Sequence, residues 1–154
     1  MSKEEWENIK QANAIPSSSE VFGSGIANAQ DVEPDLNMEA VAELVKKIAK
    51  RCLGVEVAVS FAKWEGVAAQ YGDRTLTFNV GVLGRKFFEP IVDARIIDLV
   101  VHELGHERGS HTEASYHESI TAMTGQLVML ALREPTFFQV GSGKLKESSR
   151  PVTL

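Results

Sequence analysis

Cysteine is all but missing from this chain of 154 residues: Cys52 stands alone. A lone thiol excludes an internal disulfide and any zinc site built from several thiolates, and it suits a reducing compartment. Apolar runs long enough to span a bilayer, about 18 residues or more, are also lacking, and Met1–Trp6 has no apolar core of the kind a signal peptide carries. Basic residues are outnumbered, 16 against 21 acidic, for a formal net charge of −5. With no basic, aromatic-laced patch, neither a phosphate-binding surface nor a nucleic-acid partner is expected. There are no internal repeats. These absences predict a single cytoplasmic domain of ordinary size with one core and no membrane contact.

Histidine is equally scarce but not scattered. All four histidines lie between positions 102 and 117, in Val100-Val101-His102-Glu103-Leu104-Gly105-His106-Glu107-Arg108-Gly109-Ser110-His111 and the following Tyr116-His117-Glu118. On a helix, His102 and His106 are one turn apart on the same face and can offer two imidazole nitrogens to one cation. Glu103 flanks that face, where its carboxylate can reach a water on the metal without becoming a ligand, the general-base position of a zinc peptidase. The pentad alone fixes only three residues, so its surroundings matter. The apolar run Ile96-Ile97-Asp98-Leu99-Val100-Val101 predicts a buried helix, and buried histidines need a partner such as a metal. Gly109 is placed to end the helix and let His111 fold back. Ser110-His111-Thr112-Glu113 reads as a capping box opening a second helix, with His111 in its first turn as the third ligand. His117, Glu113 and Glu118 are rivals for that place. Tyr116 is the second catalytic candidate, its hydroxyl available to an oxyanion, beside the plainer reading as a packing residue. Glu107 and Arg108 read as a solvated last turn.

Around this centre the chain divides into an irregular lead-in or linker over 1–34, a catalytic domain over 35–140 and a flexible tail over 141–154. The lead-in carries a short amphipathic piece (Trp6, Ile9, Ala12), and Trp6, Ile15 and Phe22 are candidates to dock on the core. From an N-cap at Asn37, the spacing of Met38, Val41, Leu44, Val45, Ile48, Ala49 and Cys52 predicts a helix that Gly54 stops. Val55–Phe61 alternates as a strand, and Val67–Tyr71 with Arg74–Val80 predicts a hairpin turning at Gly72-Asp73. A helix is expected from Ile91 to Arg108 with Pro90 in its first position, and another from His111 to Arg133 with a core stripe of Ile120, Met123, Leu127, Val128, Leu130 and Ala131. Met123 and Met129 read as core filler. The fold class is α+β, a small mixed sheet of three or more strands packed on the His-Glu-x-x-His helix.

The helix-borne motif after a mixed sheet resembles the zincin metallopeptidases. More closely, Ala14-Ile15-Pro16-Ser17-Ser18, Tyr71-Gly72, Leu76-Thr77-Phe78-Asn79-Val80, Leu83-Gly84, Phe88, His102 to His106 and His111-Thr112-Glu113-Ala114-Ser115-Tyr116-His117 resemble a zincin-like segment at the C-terminal end of some bacterial and phage ATP-binding proteins of the GHKL class. The resemblance runs over residues 14 to 134. It implies a zinc-dependent peptide-bond hydrolase with His102, His106 and a downstream residue as ligands, Glu103 as base, a peptide or protein substrate, and an ATPase partner or upstream domain. In zincins the edge strand beside the active-site helix pairs with an extended substrate, and Arg74–Val80 is the candidate here. Two departures stand out: the ATPase half is absent, and Thr112 occupies the place of the third histidine in the metzincin pattern. A zinc-stapled interaction module without catalysis, closed by His117 or Glu118, and a metal-dependent hydrolase of another bond such as a phosphodiester are the competing readings.

Overall fold

The computed structural model describes residues 28–139. The amphipathic piece around Trp6, the docking of Trp6, Ile15 and Phe22, the Ala14–Ser18 segment and the tail from Gly141 lie outside the described residues. Within them the architecture is mixed α and β, built on a four-stranded sheet: β1 (Gln30–Asp31), β2 (Ala58–Lys63), β3 (Ala69–Gly72) and β4 (Thr75–Asn79), in the order β1-β2-β4-β3. β1 is antiparallel to β2, β2 parallel to β4, and β3 antiparallel to β4. Gln30 and Asp31, inside the stretch expected as lead-in, thus belong to the sheet.

This order corrects one expectation. Thr75–Asn79 is a central strand with a neighbour on each side, and among the described residues the edge strand beside the histidine helix is β3. The hairpin also turns one residue later than expected: Asp73 and Arg74 both take positive φ (50° and 55°), the requirement of a two-residue type I′ connection, with Gly72 paired to Thr75. The strand expected at Val55–Phe61 starts at Ala58 and runs to Lys63, in register with β4 from Ala58↔Thr75 to Ala62↔Asn79.

Alternation along β2 and β4 places Phe61, Leu76 and Phe78 on one face. Phe61 stacks on Phe78 with centroids 5.5 Å apart, and Phe88 meets both edge-on. Helix α1 (Leu36–Ile48) lays Met38, Val41, Leu44, Val45 and Ile48 into the same core. Its N-cap is Asp35, whose carboxylate accepts the Met38 N–H at 2.9 Å, rather than Asn37. A π turn (Ala49–Leu53) follows and Gly54 closes it at φ 70°, as the glycine predicts. Asn79, wholly buried at the end of β4, accepts from the Trp64 and Gly81 N–H groups and donates to the Trp64 and Val67 carbonyls. One side chain thereby ties the loop before β3 to the short helix α2 (Val80–Leu83).

Helix α3 (Ala94–Leu104) starts three residues later than expected because Asp93, not Pro90, sets its first turn, and Ile91 holds φ 43°, outside any helix. A 3-10 turn (Gly105–Arg108) continues α3 to Gly109. Helix α4 (Ala114–Arg133) packs Tyr116, Met123, Leu127 and Leu130 inward. Val128, Met129 and Ala131 of the expected filler and stripe face solvent: at 100° per residue Val128 and Met129 turn away from the face of 123, 127 and 130, while Ala131 lies on the flank of that face and is left uncovered. At the far end Lys47 donates to the Phe137 carbonyl and Arg51 forms a fork with Glu134 at 2.6 and 3.0 Å. Among the described residues no helix is long and apolar enough to cross a membrane.

Candidate metal centre

α3 packs beside β3, burying Ile96, Val100, Val101 and Leu104. Glu103 lies three residues beyond Val100 and seven beyond Ile96, so it shares the inward stripe and is only 8% exposed. His102 lies on the outer flank of that stripe. Its side chain is 47% accessible, contrary to the expectation that the apolar run would bury both histidines. His106 is half-buried, one turn on.

Gly109 breaks the chain at φ 149°, and its position is crowded: a Cβ there would meet Glu113 Oε2 and Ser115 Oγ at 2.8 Å. Ser115 donates to the Arg108 carbonyl at 2.6 Å, closing the turn from below. The expected capping box is only partly formed. Glu113 accepts from the Ser110 N–H and hydroxyl at 3.2 and 3.0 Å, but α4 begins after it, at Ala114. His111 therefore sits in the tight turn that precedes the helix rather than in its first turn.

The turn brings three histidines to one point. One nitrogen each from His102, His106 and His111 lies within 4.8 Å of the others, and this is the one such group among the described residues. His102 Nε2 and His111 Nε2 are 3.1 Å apart, close to the roughly 3.4 Å between donors on a tetrahedral cation with ~2.05 Å bonds. His106 Nδ1 lies 3.0 Å from the Gly109 carbonyl, which can only accept, so Nδ1 carries the proton and Nε2 is left with its lone pair. Three imidazoles suit zinc and other borderline transition metals, and the site fits such an ion. The rival ligands are elsewhere. His117 donates from Nε2 to the His111 carbonyl at 2.8 Å, and neither Glu113 nor Glu118 joins the group.

Burial sets the electrostatics. Desolvation raises the Glu103 carboxyl to about 8. Desolvation also lowers His106 and His111, neighbouring histidines adding to it, so both favour the neutral form a metal needs. Glu103 Oε1 lies 3.9 Å from His102 Nε2, within reach of anything bound to that nitrogen. Tyr116 is 2% exposed and is raised to about 12, first by burial and then by the Glu103 charge. Its hydroxyl lies 3.1 Å from His102 Nδ1 and donates to the His102 carbonyl at 3.1 Å.

Two residues that the sequence passed over help to build the site. Gly105, one of the free positions of the pentad, supports the Tyr116 ring: a Cβ there would lie 2.9 Å from Tyr116 Cε1. Glu107, expected in solvent, is 15% exposed and accepts from the Tyr71 hydroxyl at 2.7 Å and from Arg74 at 3.0 and 3.2 Å. It ties the β3-β4 hairpin to the turn that carries His106.

The chain matches no family model, no curated protein and no solved structure.

Proposed function

We propose that the chain is a zinc-dependent peptide-bond hydrolase of zincin type, acting on a peptide or protein. The observation that carries this reading is the meeting of His102, His106 and His111 with a buried carboxylate, Glu103, 3.9 Å from one of the donor nitrogens. Zinc held by the three Nε2 atoms would supply a divalent charge that acidifies a water, polarises a carbonyl and favours the ionised form of Glu103. Glu103 then accepts a proton from the attacking water and returns it to the leaving amine. Its burial suits the task, because a carboxylate kept from bulk water binds protons more strongly.

The edge strand β3 supports a peptide as substrate. Its outer backbone groups have no strand partner among the described residues, and β3 packs beside α3. An extended chain can add to such an edge through main-chain hydrogen bonds. A purely structural zinc site is less well supported, since His117 spends Nε2 on a carbonyl and no fourth protein ligand stands among the described residues. The net charge of −5 weighs against a phosphodiester substrate. An ATPase partner or upstream domain belongs to the same proposal, on the resemblance alone.

The test is a peptide-library cleavage assay on the zinc-loaded chain and on Glu103→Gln. The parent is expected to cleave, and the variant to keep its zinc while losing at least about 100-fold in rate. Parent-rate cleavage by Glu103→Gln, or none by the loaded parent, would contradict the reading.

A further inference from the structure

We infer that Tyr116 is a positioning residue for the His102 ligand, fixing which ring nitrogen is free. Its role then lies on the Nδ1 side of His102, not at the oxyanion for which its hydroxyl was a candidate.

A phenol has one O–H to give and lone pairs to accept with. Here the O–H goes to the His102 carbonyl, which can only accept, at 3.1 Å. Toward His102 Nδ1, also 3.1 Å away, the hydroxyl can therefore act only as acceptor, so Nδ1 must be the protonated nitrogen. The lone pair is then on Nε2, the atom that faces His111 Nε2. The Gly109 carbonyl does the same for His106. Ligand histidines commonly give their second N–H to a carboxylate or a carbonyl, and a buried phenol held by the ligand's own carbonyl fills that place here. Packing keeps the ring in register: Tyr116 is 2% exposed, lies against Gly105, and its centroid is 4.8 Å from that of His106 and 4.9 Å from that of His111. The hydroxyl cannot swing away without moving the ligands themselves.

The inference rests on the proposed metal site for its consequence in affinity, but not for the tautomer. The experiment is long-range proton–nitrogen correlation NMR on the metal-free chain with labelled histidine, parent beside Tyr116→Phe, followed by Zn2+ titration against a competing chelator. In the parent, His102 is expected as the Nδ1–H tautomer. Phenylalanine keeps the packing and removes the hydroxyl, so the tautomer should become mixed and Zn2+ affinity should fall about 10- to 100-fold. An Nε2–H tautomer in the parent overturns the inference without any variant having to fold. Unchanged tautomer and affinity in Tyr116→Phe overturn it as well. If the parent takes up no Zn2+, the proposed function falls, and the tautomer alone decides the role of Tyr116.

Discussion

Gly105 and Tyr116 pack so closely that the glycine's missing side chain is part of the site: a Cβ at position 105 would lie 2.9 Å from Tyr116 Cε1 and 3.0 Å from Ile120 Cγ1. Both neighbours sit on α4, whose register sets Tyr116 against α3 and fixes where the preceding turn brings His111. Gly105→Ala is expected to push α4 outward, costing about 1–3 kcal/mol in chemical denaturation and weakening Zn2+ binding at the same time. Unaltered stability and affinity would show that the close approach does not hold the site together.

Glu107 should matter more to stability than an exposed acid would. It takes the Tyr71 hydroxyl at 2.7 Å in a half-buried setting, so Glu107→Ala leaves a phenol without its partner and is expected to cost about 1–3 kcal/mol. Arg74 is 57% exposed, and Arg74→Ala should cost at most about 1 kcal/mol. Equal losses in urea denaturation would mean that the ion pair, not the phenol, carries the link.

Much of the site is legible in the sequence, and for a simple reason. His102 and His106 are bound by the four-residue helical repeat, and Gly109 announces the break that returns His111 to them; these are local rules. What could not be read depends on distant partners. Glu107 looks solvated until Tyr71 and Arg74, 36 and 33 residues away, are brought beside it. The same holds for the sheet: alternation marks Thr75–Asn79 as a strand, but only the parallel pairing with β2 makes it central and leaves β3 at the edge. Glu103 is a subtler case, since the apolar run predicts a buried face but not which members of the motif share it. At the start of α3, proline at 90 and aspartate at 93 are both good openers, and the side-chain bond of Asp93 prevails.

Asp93 gives the fold a defined acid response. Its carboxylate accepts the Arg95 backbone N–H at 2.7 Å and then the Arg95 side chain at 3.2 Å, and these bonds hold its pKa below the ordinary value. The folded state therefore prefers the ionised cap. Its contribution is complete above the unfolded pKa, near ~3.9, and is lost as pH falls through the lower folded value. Asp93→Ala should melt below the parent at neutral pH, and the gap in Tm should close below about pH 4. A gap that persists or widens in acid would contradict this assignment.

The most direct test of the central claim is metal content by elemental analysis of the purified chain, run beside His111→Ala and His117→Ala. The account predicts one zinc per chain in the parent, lost or weakened in His111→Ala and kept in His117→Ala. Zinc that requires both residues would point to a closed structural site, and a parent that binds no metal would contradict the account at its root.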